Sequence, residues 1–491
     1  MGSINVLVLD VGTSSMRGIL FDEAGRILLQ AQKKYRPEYK SPAWIEQPAS
    51  DFKDALLEIS TSVAEGARNL RKNIEVISIT AQRSAVIPLG GDGTPLMPAV
   101  MWQDTRNAEL CRELEKWNNE VFRRSGTTVN TVFSGGKMSW IKRVCPEIAA
   151  KTWKFVNIPE YLMYSMTGRL VSDHTYGSRS NLMNLRKRDW DPELLKLFGI
   201  RRNELCELQE PGTEAGRITA EFAGLTGIRE GTPVITAGGD QQCAAVGQGA
   251  VSEGILSIVS GTGAYLVLPC CEIPEGLPRQ MICNCSAIAG QYILEASVLT
   301  CASAFDWFLR NFYGEEKDFG RINGELQELY EKEEDVLTLP YFQGRSSGGW
   351  NAEAKAVFAN ITLSTTRQDI LKSLVEGIFM EVGNSIRQFR NYVDISEGYI
   401  SGGMTKSAVM NQMQADIYGI PLKRMESVEA TARGALLVTL AALGVYPSPE
   451  KAFYALQREE PLTTYTPDQG KTEGYRRKQT EMNRMYQKIY R

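Results

Sequence analysis

The stretch DVGTSSMRGILFD, residues 10–22, indicates how the chain begins to fold. The apolar run before it (4–9) and its own second half are typical of two strands, and glycine and hydroxyl residues between them predict a tight turn. With a third run, ILLQAQKKY at 27–35, the pattern predicts an antiparallel meander. An amphipathic stretch at 51–70 then precedes IEVISIT at 74–80, which favours a helical crossover into a parallel strand.

The second half of the chain repeats this pattern. ILSIVS and AYLVLP flank the turn Gly261-Thr262-Gly263, so two similar turns lie half a chain apart. We interpret this as two α/β domains, each contributing one hairpin to a shared cleft. We expect an N-terminal domain at 1–248, a C-terminal domain at 249–446 and a helical tail at 447–491, in which the charged residues 472–491 form an exposed terminal helix.

The composition narrows the classes of function. The 491 residues include 55 Lys and Arg and 58 Asp and Glu, a net charge of −3, so neither nucleic acid nor an anionic membrane is an expected partner. His174 is the one histidine, which excludes a multi-histidine metal site. A proton-transferring enzyme built on this sequence would use a carboxylate base, and we expect His174 to be a structural residue in a loop.

The cysteines and apolar segments predict the compartment. The nine cysteines include no C-x-x-C pair, so we expect reduced thiols and a reducing environment. The N-terminus lacks a basic segment before its apolar run, and the apolar stretch 434–445 is too short to cross a bilayer. The expectation is a soluble, cytoplasmic protein.

The two turns carry the first candidate chemistry. In the first, Asp10 is followed by glycine and hydroxyl residues and then by Arg17. Backbone N–H groups and hydroxyls in such a turn suit a phosphate oxygen, and the carboxylate suits Mg²⁺. The alternative is an ordinary hairpin turn. Ser260-Gly-Thr-Gly263 repeats the same chemistry in the second half.

Two further glycine-rich stretches follow predicted strands. Asp240, in GGDQQ after PVITA, is a candidate general base, and its alternative role is to cap the next helix. Gly402 and Gly403, in ISGGMTKS, would let a base or ribose lie against the backbone. The sequence contains no G-x-x-x-x-G-K-[ST] and no G-x-G-x-x-G after a strand, which argues against P-loop and dinucleotide-binding proteins.

An ordered series of motifs resembles the FGGY family of carbohydrate kinases. The motifs are DVGTSSMRGILFD (10–22), AQRS (81–84), WQDTR (102–106), FSGGK (133–137), YLMYSMTGRLVSD (161–173), GGDQQCAAVGQG (238–249), SGTGAY (260–265), ISGGMTKSAVMNQMQADIYGIPL (400–422) and ATARGAL (430–436). The resemblance implies an α/β fold of two actin-like ATPase (ribonuclease H-like) domains, as in the hexokinase/Hsp70/actin superfamily, with a cleft between them.

The resemblance also implies an activity and a set of site residues. ATP and Mg²⁺ would serve to phosphorylate a hydroxyl of a small sugar or polyol, with Asp240 as the base and Asp10 acting on the metal. Thr13 and Thr262 would meet the β- and γ-phosphates. The predicted nucleotide-binding residues are Thr13, Ser14, Arg17, Thr262, Gly263, Gly344, Gly403 and Ser407. The predicted substrate-binding residues are Gln82, Arg83, Trp102, Gln241 and Tyr265.

Two positions bear on the identity of the acceptor. Glycerol kinases are the most similar branch, but a carboxylate expected after Arg83 is Ser84 here, and a tyrosine expected before Phe133 is Val132. Each would bond a glycerol hydroxyl, and the smaller side chains leave room for a longer substrate. Nor does the Met-His-Gly of xylulokinases follow Gln82. We therefore favour a pentulose or a four- to five-carbon polyol, with glycerol as the alternative.

Two other classes of protein remain as alternatives. One is a non-catalytic regulator of the actin fold that binds ATP and sugar, against which the retained pair of Asp10 and Asp240 argues. The other is a metal-dependent hydrolase, for which the sequence offers too few histidines. A homodimer is one of the oligomeric states left open.

Overall fold

The computed structural model of the chain describes residues 4–314, 318–332, 335–346, 349–425, 429–458 and 461–490. Within these ranges, two mixed sheets with flanking helices form the bulk of the molecule.

The strands of the first half of the chain are β1 (Val6–Val11), β2 (Ser15–Phe21), β3 (Ile27–Lys34), β4 (Glu38–Ser41), β5 (Trp44–Gln47), β6 (Val76–Ala81), β7 (Ile87–Leu89), β8 (Ala99–Val100), β9 (Lys154–Val156), β10 (Val171–Asp173), β11 (Met183–Asn184), β12 (Asp189–Trp190), β13 (Glu207–Gln209), β14 (Thr213–Arg217) and β15 (Pro233–Gly239). Those of the second half are β16 (Ile255–Ser260), β17 (Ala264–Cys270), β18 (Ile282–Cys285), β19 (Tyr292–Val298), β20 (Leu337–Leu339), β21 (Val357–Ala359), β22 (Glu397–Ser401), β23 (Leu422–Met425) and β24 (Leu462–Tyr465).

The α-helices are α1 (Ala49–Asn69), α2 (Ala108–Leu114), α3 (Asn118–Ser125), α4 (Ser134–Val144), α5 (Pro146–Lys151), α6 (Ile158–Thr167), α7 (His174–Gly177), α8 (Pro192–Phe198), α9 (Ala220–Thr226), α10 (Asp240–Gln248), α11 (Ala302–Phe312), α12 (Phe319–Leu329), α13 (Arg367–Phe389), α14 (Ala408–Tyr418), α15 (Ala430–Ala442), α16 (Pro449–Gln457) and α17 (Gln469–Tyr490). Short 3-10 helices cover Glu115–Trp117, Arg202–Glu204 and Gly403–Lys406.

The two main sheets repeat one arrangement. In the first, with the strand order β14-β15-β6-β1-β2-β3, β1 pairs antiparallel with β2 and parallel with β6. In the second, with the order β18-β19-β17-β16-β22-β23-β24, β16 pairs antiparallel with β17 and parallel with β22. The meander and the crossover predicted from the sequence are confirmed, and the two glycine-hydroxyl turns occupy equivalent positions.

The apolar runs of the sequence explain which strands are central. Every residue of β1 and β6 is buried, as expected for strands covered by helices on both faces. Helix α1 buries one face against the first sheet, and the long α13 is buried along almost its whole length beneath the second. Each sheet therefore has helices over it and a core of its own.

Two helices pack closely against each other. One is α10, which follows β15, and the other is α15, which follows β23. Helices α10 and α15 cross at two glycines, where their backbones touch. A Cβ on Gly247 would overlap the carbonyl oxygen of Ala430, and a Cβ on Gly434 would overlap that of Cys243. Only glycine permits so close an approach of two helices.

The C-terminal tail differs from the expectation of an exposed helix. Helix α17 buries Thr472, Tyr475, Gln479 and Met482. Its Lys478 lies 2.5 Å from the buried carboxylate of Glu376 on α13. The sequence did not reveal this burial because only a few positions of the helix are buried, and two of them, Thr472 and Gln479, are polar.

His174 also differs from its predicted loop setting. It begins the short helix α7, and the carboxylate of Asp173 caps that helix by accepting from the N–H of Thr175. All nine cysteines lie within the described ranges, and none is joined in a disulfide there. No helix among the described residues is both long and apolar enough to cross a membrane.

Candidate active site

The first turn is built on an ion-paired carboxylate. Asp10 near the end of β1 lies opposite Arg17 on β2, and Arg17 Nη2 is 2.6 Å from Asp10 Oδ2. Arg17 Nη1 lies 2.5 Å from Glu429 Oε2, at the start of α15 in the other half of the molecule. Burial raises the pKa of Asp10, and Arg17 opposes that rise. The guanidinium of Arg17 is thus engaged by two carboxylates.

Thr13, a predicted phosphate-binding residue in this turn, contacts two residues predicted to bind the substrate, Gln82 and Trp102. Trp102 Nε1 donates to Thr13 Oγ1 over 3.1 Å, and Thr13 Oγ1 lies 3.4 Å from Gln82 Oε1. Gln82 Nε2 donates to the carbonyl of Gly12 over 3.0 Å. The predicted substrate residues Gln82 and Trp102 are therefore bonded directly to the predicted phosphate turn, whereas Ser14 is exposed at its tip.

Asp240 lies where β15 passes into α10. Gly238 has a φ of 112°, a backbone conformation that favours glycine, and Gly239 occupies the N-cap position. Asp240 is consequently the first residue of the helix, and the alternative role of N-cap is wrong. Its carboxylate accepts from the N–H of Gln241 over 2.8 Å. Burial raises the pKa of Asp240 to about 6, although Arg83 acts to lower it.

Arg83 lies between this carboxylate and the second half of the chain. Its Nε is 3.6 Å from Asp240 Oδ1. Its Nη1 donates to Glu295 Oε1 over 2.8 Å and to Gln242 Oε1 over 3.1 Å. The same Glu295 accepts at Oε2 from Arg179 Nη1 over 2.9 Å. The predicted base and the predicted substrate arginine are brought together.

Glu295, Arg179 and Gln242 are contacts that the sequence reasoning missed. For Glu295 a signal existed, because a carboxylate interrupts the apolar run of YILEASV in β19. Arg179 lies within a buried polar stretch just after α7 and stacks over the ring of Phe133 at 4.7 Å. Burial, together with the charge of Arg83, lowers the pKa of Arg179 to about 10.

Ser84 and Val132, the two positions expected to bear on the acceptor, both make hydrogen bonds within the protein, the second through its backbone carbonyl. Ser84 is buried with a φ of 71°, and its hydroxyl donates to the carbonyl of Arg179 over 3.2 Å. Val132 is partly buried, and its carbonyl accepts from Lys137 Nζ over 3.1 Å. The Ser84 hydroxyl thus bonds the protein's own backbone, and the Val132 side chain has no polar atom to offer.

Lys137 is a buried lysine next to Val132. Its Nζ also donates to the carbonyl of Thr131 and, over 3.4 Å, to that of Trp102. Burial lowers the pKa of Lys137 to about 7. The lysine of FSGGK therefore ties the segment before α4 to the backbone that carries Trp102.

The second turn is held by hydrogen bonds to its backbone carbonyls, one of them from the hydroxyl of Ser303 to Thr262 over 2.8 Å. Cys301 N–H donates to the carbonyl of Thr262 over 2.8 Å, and Gly261 N–H donates to that of Gly263 over 2.9 Å. Thr262 and Tyr265 are both exposed. Gly402, with a φ of 98°, packs so closely that a Cβ would overlap Ser260 O.

The remaining predicted nucleotide residues lie around this turn. Gly403 begins a 3-10 helix, and Ser407 caps α14 by accepting from Met410 N–H over 3.4 Å. Gly344, with a φ of 90°, precedes Ser346, whose hydroxyl donates to the carbonyl of Ser297 over 2.5 Å. Because Ser297 pairs with Tyr265 between β19 and β17, the Gly344 segment lies beside the second hairpin.

The residues present suit Mg²⁺ and a nucleotide. In the described contacts Arg17 uses Oδ2 of Asp10, so Oδ1 can face a cation or its water. Among the described residues no cluster of three or more metal-ligating side chains occurs, and Mg²⁺ needs only one or two carboxylates with waters and phosphates. A Cβ on Gly403 would meet nothing within 4 Å, so the surface above it admits a flat base.

His174 makes no described contact with these residues. Its Nδ1 is 3.3 Å from Glu210 Oε2, and Glu210 is also paired with Arg188 at 3.0 Å. The close approach of His174, with the charge of Arg188, lowers the pKa of Glu210 to about 2. This setting agrees with the structural role predicted for the histidine.

Comparison with known families matches most of the chain. Residues 5–247 match the N-terminal domain of the FGGY family of carbohydrate kinases, and residues 256–443 match its C-terminal domain. The glycerol kinase of Thermococcus kodakarensis is 30% identical over 447 residues, which cover 90% of this chain and 88% of that protein. Glycerol kinase 2 of Thermotoga maritima is 30% identical over 466 residues, 91% of each chain.

Solved structures share the whole fold. A gluconate kinase from Lactobacillus acidophilus superposes with a TM-score of 0.90 at 21% identity, covering 99% of this chain and 98% of the other. The glycerol kinase of Plasmodium falciparum, solved with ADP, gives a TM-score of 0.88 at 24% identity, covering 98% of each. The two-domain actin-like architecture expected from the motifs is thereby confirmed.

Proposed function

This chain belongs to the FGGY family of carbohydrate kinases, and from that premise we propose that it transfers the γ-phosphoryl group of ATP to a hydroxyl of a pentulose or a four- to five-carbon polyol. Asp240 acts as the general base. The observation that carries the proposal is the setting of Asp240, a carboxylate with a pKa of about 6 at the start of α10 and 3.6 Å from Arg83.

The proposed chemistry at Asp240 is a single proton transfer. Its carboxylate accepts the proton of the acceptor hydroxyl as the oxygen attacks the γ-phosphorus, and ADP leaves. A pKa of about 6 keeps the carboxylate ionised at neutral pH yet basic enough to hold a proton. Phosphoryl transfer otherwise depends on positioning and on charge neutralisation rather than on covalent chemistry.

The phosphates and the metal are assigned to the turn residues. Asp10 would hold Mg²⁺, which would supply charge neutralisation of the transferring group. Thr13, Ser14, Thr262 and Gly263 face the phosphates, with Gly344 beside them, and Gly403 and Ser407 border the nucleoside. Arg17 acts through Asp10, because its guanidinium orients that carboxylate and ties it to Glu429. The ranges 1–248 and 249–446 remain our proposed domain limits, with 447–491 appended to the second.

The acceptor is assigned to the space beside Asp240. Gln82, Arg83, Trp102, Gln241 and Tyr265 supply its polar and aromatic contacts. The choice of a longer acceptor rests on Ser84 and Val132. The hydroxyl of Ser84 is used within the protein and Val132 is apolar, so neither supplies the hydrogen bonds that a small triol needs.

Glycerol is the second candidate acceptor. Its support is that the curated relatives at 30% identity over nine-tenths of the chain are named glycerol kinases. The two candidates differ in what they require at position 132, where a tyrosine would supply a hydroxyl and fill space.

A coupled assay of ADP release separates them. The acceptors are glycerol, erythritol, ribitol, xylulose, ribulose and gluconate, and the proposal expects the highest kcat/KM on a four- or five-carbon polyol or a pentulose. Val132→Tyr should shift the preference toward glycerol. Val144→Tyr, at an exposed position on α4, is the matched control and should leave it unchanged. High kcat/KM on glycerol with none on the longer compounds would overturn the assignment.

A further inference from the structure

The geometry points to Glu295 as a positioning residue of the acceptor site, which holds Arg83 away from Asp240 and balances the charge around that base from the opposite domain. This inference rests on the proposed function, because it assigns the role of Glu295 relative to Asp240 as the base.

Glu295 reaches across the boundary between the two halves. It stands in the middle of β19, flanked by β17 and β18, and its side chain is 12% exposed. Oε1 accepts from Arg83, and Oε2 accepts from Arg179 and, over 2.9 Å, from Asn284 Nδ2. One carboxylate therefore fixes two arginines that come from the N-terminal half, while a residue of its own half fixes the carboxylate.

The position of Arg83 follows from two competing carboxylates. Nη1 of Arg83 is in hydrogen-bond contact with Glu295 at 2.8 Å, whereas its Nε is 3.6 Å from Asp240, beyond a good hydrogen bond. Without Glu295, the nearest carboxylate to Arg83 would be Asp240 itself. The guanidinium would then pair with the base and withdraw both the base and itself from the acceptor.

The charges add a second consequence. Burial acts to raise the pKa of Glu295, but Arg83 and Arg179 outweigh it and keep the group ionised. Two buried guanidinium groups are thus matched by Glu295 and Asp240. Removal of the Glu295 charge leaves an excess of positive charge near Asp240, which favours the ionised form of Asp240. The charged groups acting on the pKa of Asp240 are Arg83, Asp10 and Arg179, together with the N–H of Gln241, and the neutral Tyr176 and Cys243 also face it.

Glu295→Gln keeps the shape of the side chain and removes its charge. We expect the KM for the acceptor to rise roughly 10- to 100-fold, since a charge-assisted pair to a binding arginine is lost. The KM for ATP should stay within about twofold, because these contacts lie on the acceptor side. The acid limb of kcat/KM against pH should move down by about one unit. A residue that merely joins the two halves would change the unfolding temperature without moving that limb.

Two further variants keep the result decisive. Glu295→Asp retains the charge but shortens the reach, so it should raise the acceptor KM and leave the acid limb in place. Glu397 begins β22, and its carboxylate lies 2.6 Å from Lys423 Nζ. Glu397→Gln removes this carboxylate as a matched control and should behave as wild type. An acceptor KM and an acid limb both unchanged in Glu295→Gln would overturn the inference. If that variant does not fold, a wild-type acceptor KM in Glu295→Asp overturns it.

The same measurements distinguish failure of this inference from failure of the proposed function. A wild-type enzyme that phosphorylates no compound of the acceptor panel would defeat the proposed function. A wild-type enzyme that does so, together with a Glu295→Gln variant of unchanged kinetics, would defeat the role of Glu295 alone.

Discussion

The two glycine-hydroxyl turns look alike in sequence but are held in place differently. In the first, side chains make the contacts, with Trp102 and Gln82 at Thr13 and with Glu429 bound to Arg17. In the second, the contacts are made to the backbone of the turn, as where Cys301 N–H and the Ser303 hydroxyl donate to Thr262 O. The first turn is therefore joined to the acceptor pocket, whereas the second leaves the side chain of Thr262 exposed toward solvent.

The two turns therefore depend on different kinds of contact. The hydroxyl of Thr13 contacts Trp102 and Gln82, so a change at the proposed acceptor residues should reach the proposed phosphate turn directly. The second turn depends on close backbone packing, as at Gly263 and Gly402. Substitutions at side chains should thus perturb the first turn, and added bulk should perturb the second.

The largest effect is expected at Asp240, the proposed base, which lies between the two turns in the sequence. Asp240→Asn removes the base while keeping the shape, so kcat should fall about 10²- to 10⁴-fold with ATP affinity within about threefold of wild type. Steady-state kinetics and calorimetric titration with ATP measure the two quantities. Unchanged turnover would remove Asp240 from the role of base.

A matched pair of glycine substitutions tests the turns themselves. A Cβ on Gly263 would lie 2.5 Å from the carbonyl oxygen of Val298, so Gly263→Ala should lower the free energy of unfolding by about 1–3 kcal/mol. In the first turn the Cβ of Gly12→Ala would be 3.2 Å from Ser15 O, and a loss under about 1 kcal/mol is expected. Denaturant unfolding compares them, and equal losses would contradict the distinction between the turns.

The pH dependence should follow Asp240. Burial raises its pKa to about 6, and the base must be ionised to accept a proton. Activity should therefore be level above that pH and fall about tenfold for each unit below it. The measurement is kcat/KM for the acceptor from about pH 4.5 to about pH 8. An acid limb at about pH 4, the ordinary range of an aspartate, would show that Asp240 is not the titrating group.

The smallest effect is expected at His174, whose side chain makes no described contact with either turn. His174→Gln loses the contact with Glu210 at 3.3 Å, but no residue of the proposed site is among its described partners. We expect kcat/KM within about twofold of wild type and a slightly lower unfolding temperature. A folded but inactive variant would require a catalytic role for the histidine.

The local patterns of the sequence predicted the strands, the turns and the glycine-flanked carboxylate. Asp240 could be found because a strand, two glycines and a carboxylate are adjacent in sequence. Glu295 could not be linked to Arg83, because 212 positions separate them and only the packing of two domains brings them together. The same holds for Arg17 and Glu429, which are 412 positions apart. The buried face of α17 was missed because polar side chains, paired across the helix interface, form much of it.

The glycine crossing of α10 and α15 has a mechanical meaning. Peptide backbone rests on peptide backbone at Gly247 and Gly434, with no side chain between the two helices at these points. The crossing therefore sets a minimum spacing: α10 lies as close to α15 as two helices can, and α15 is in turn bonded to β6 through Thr439 and Ser78.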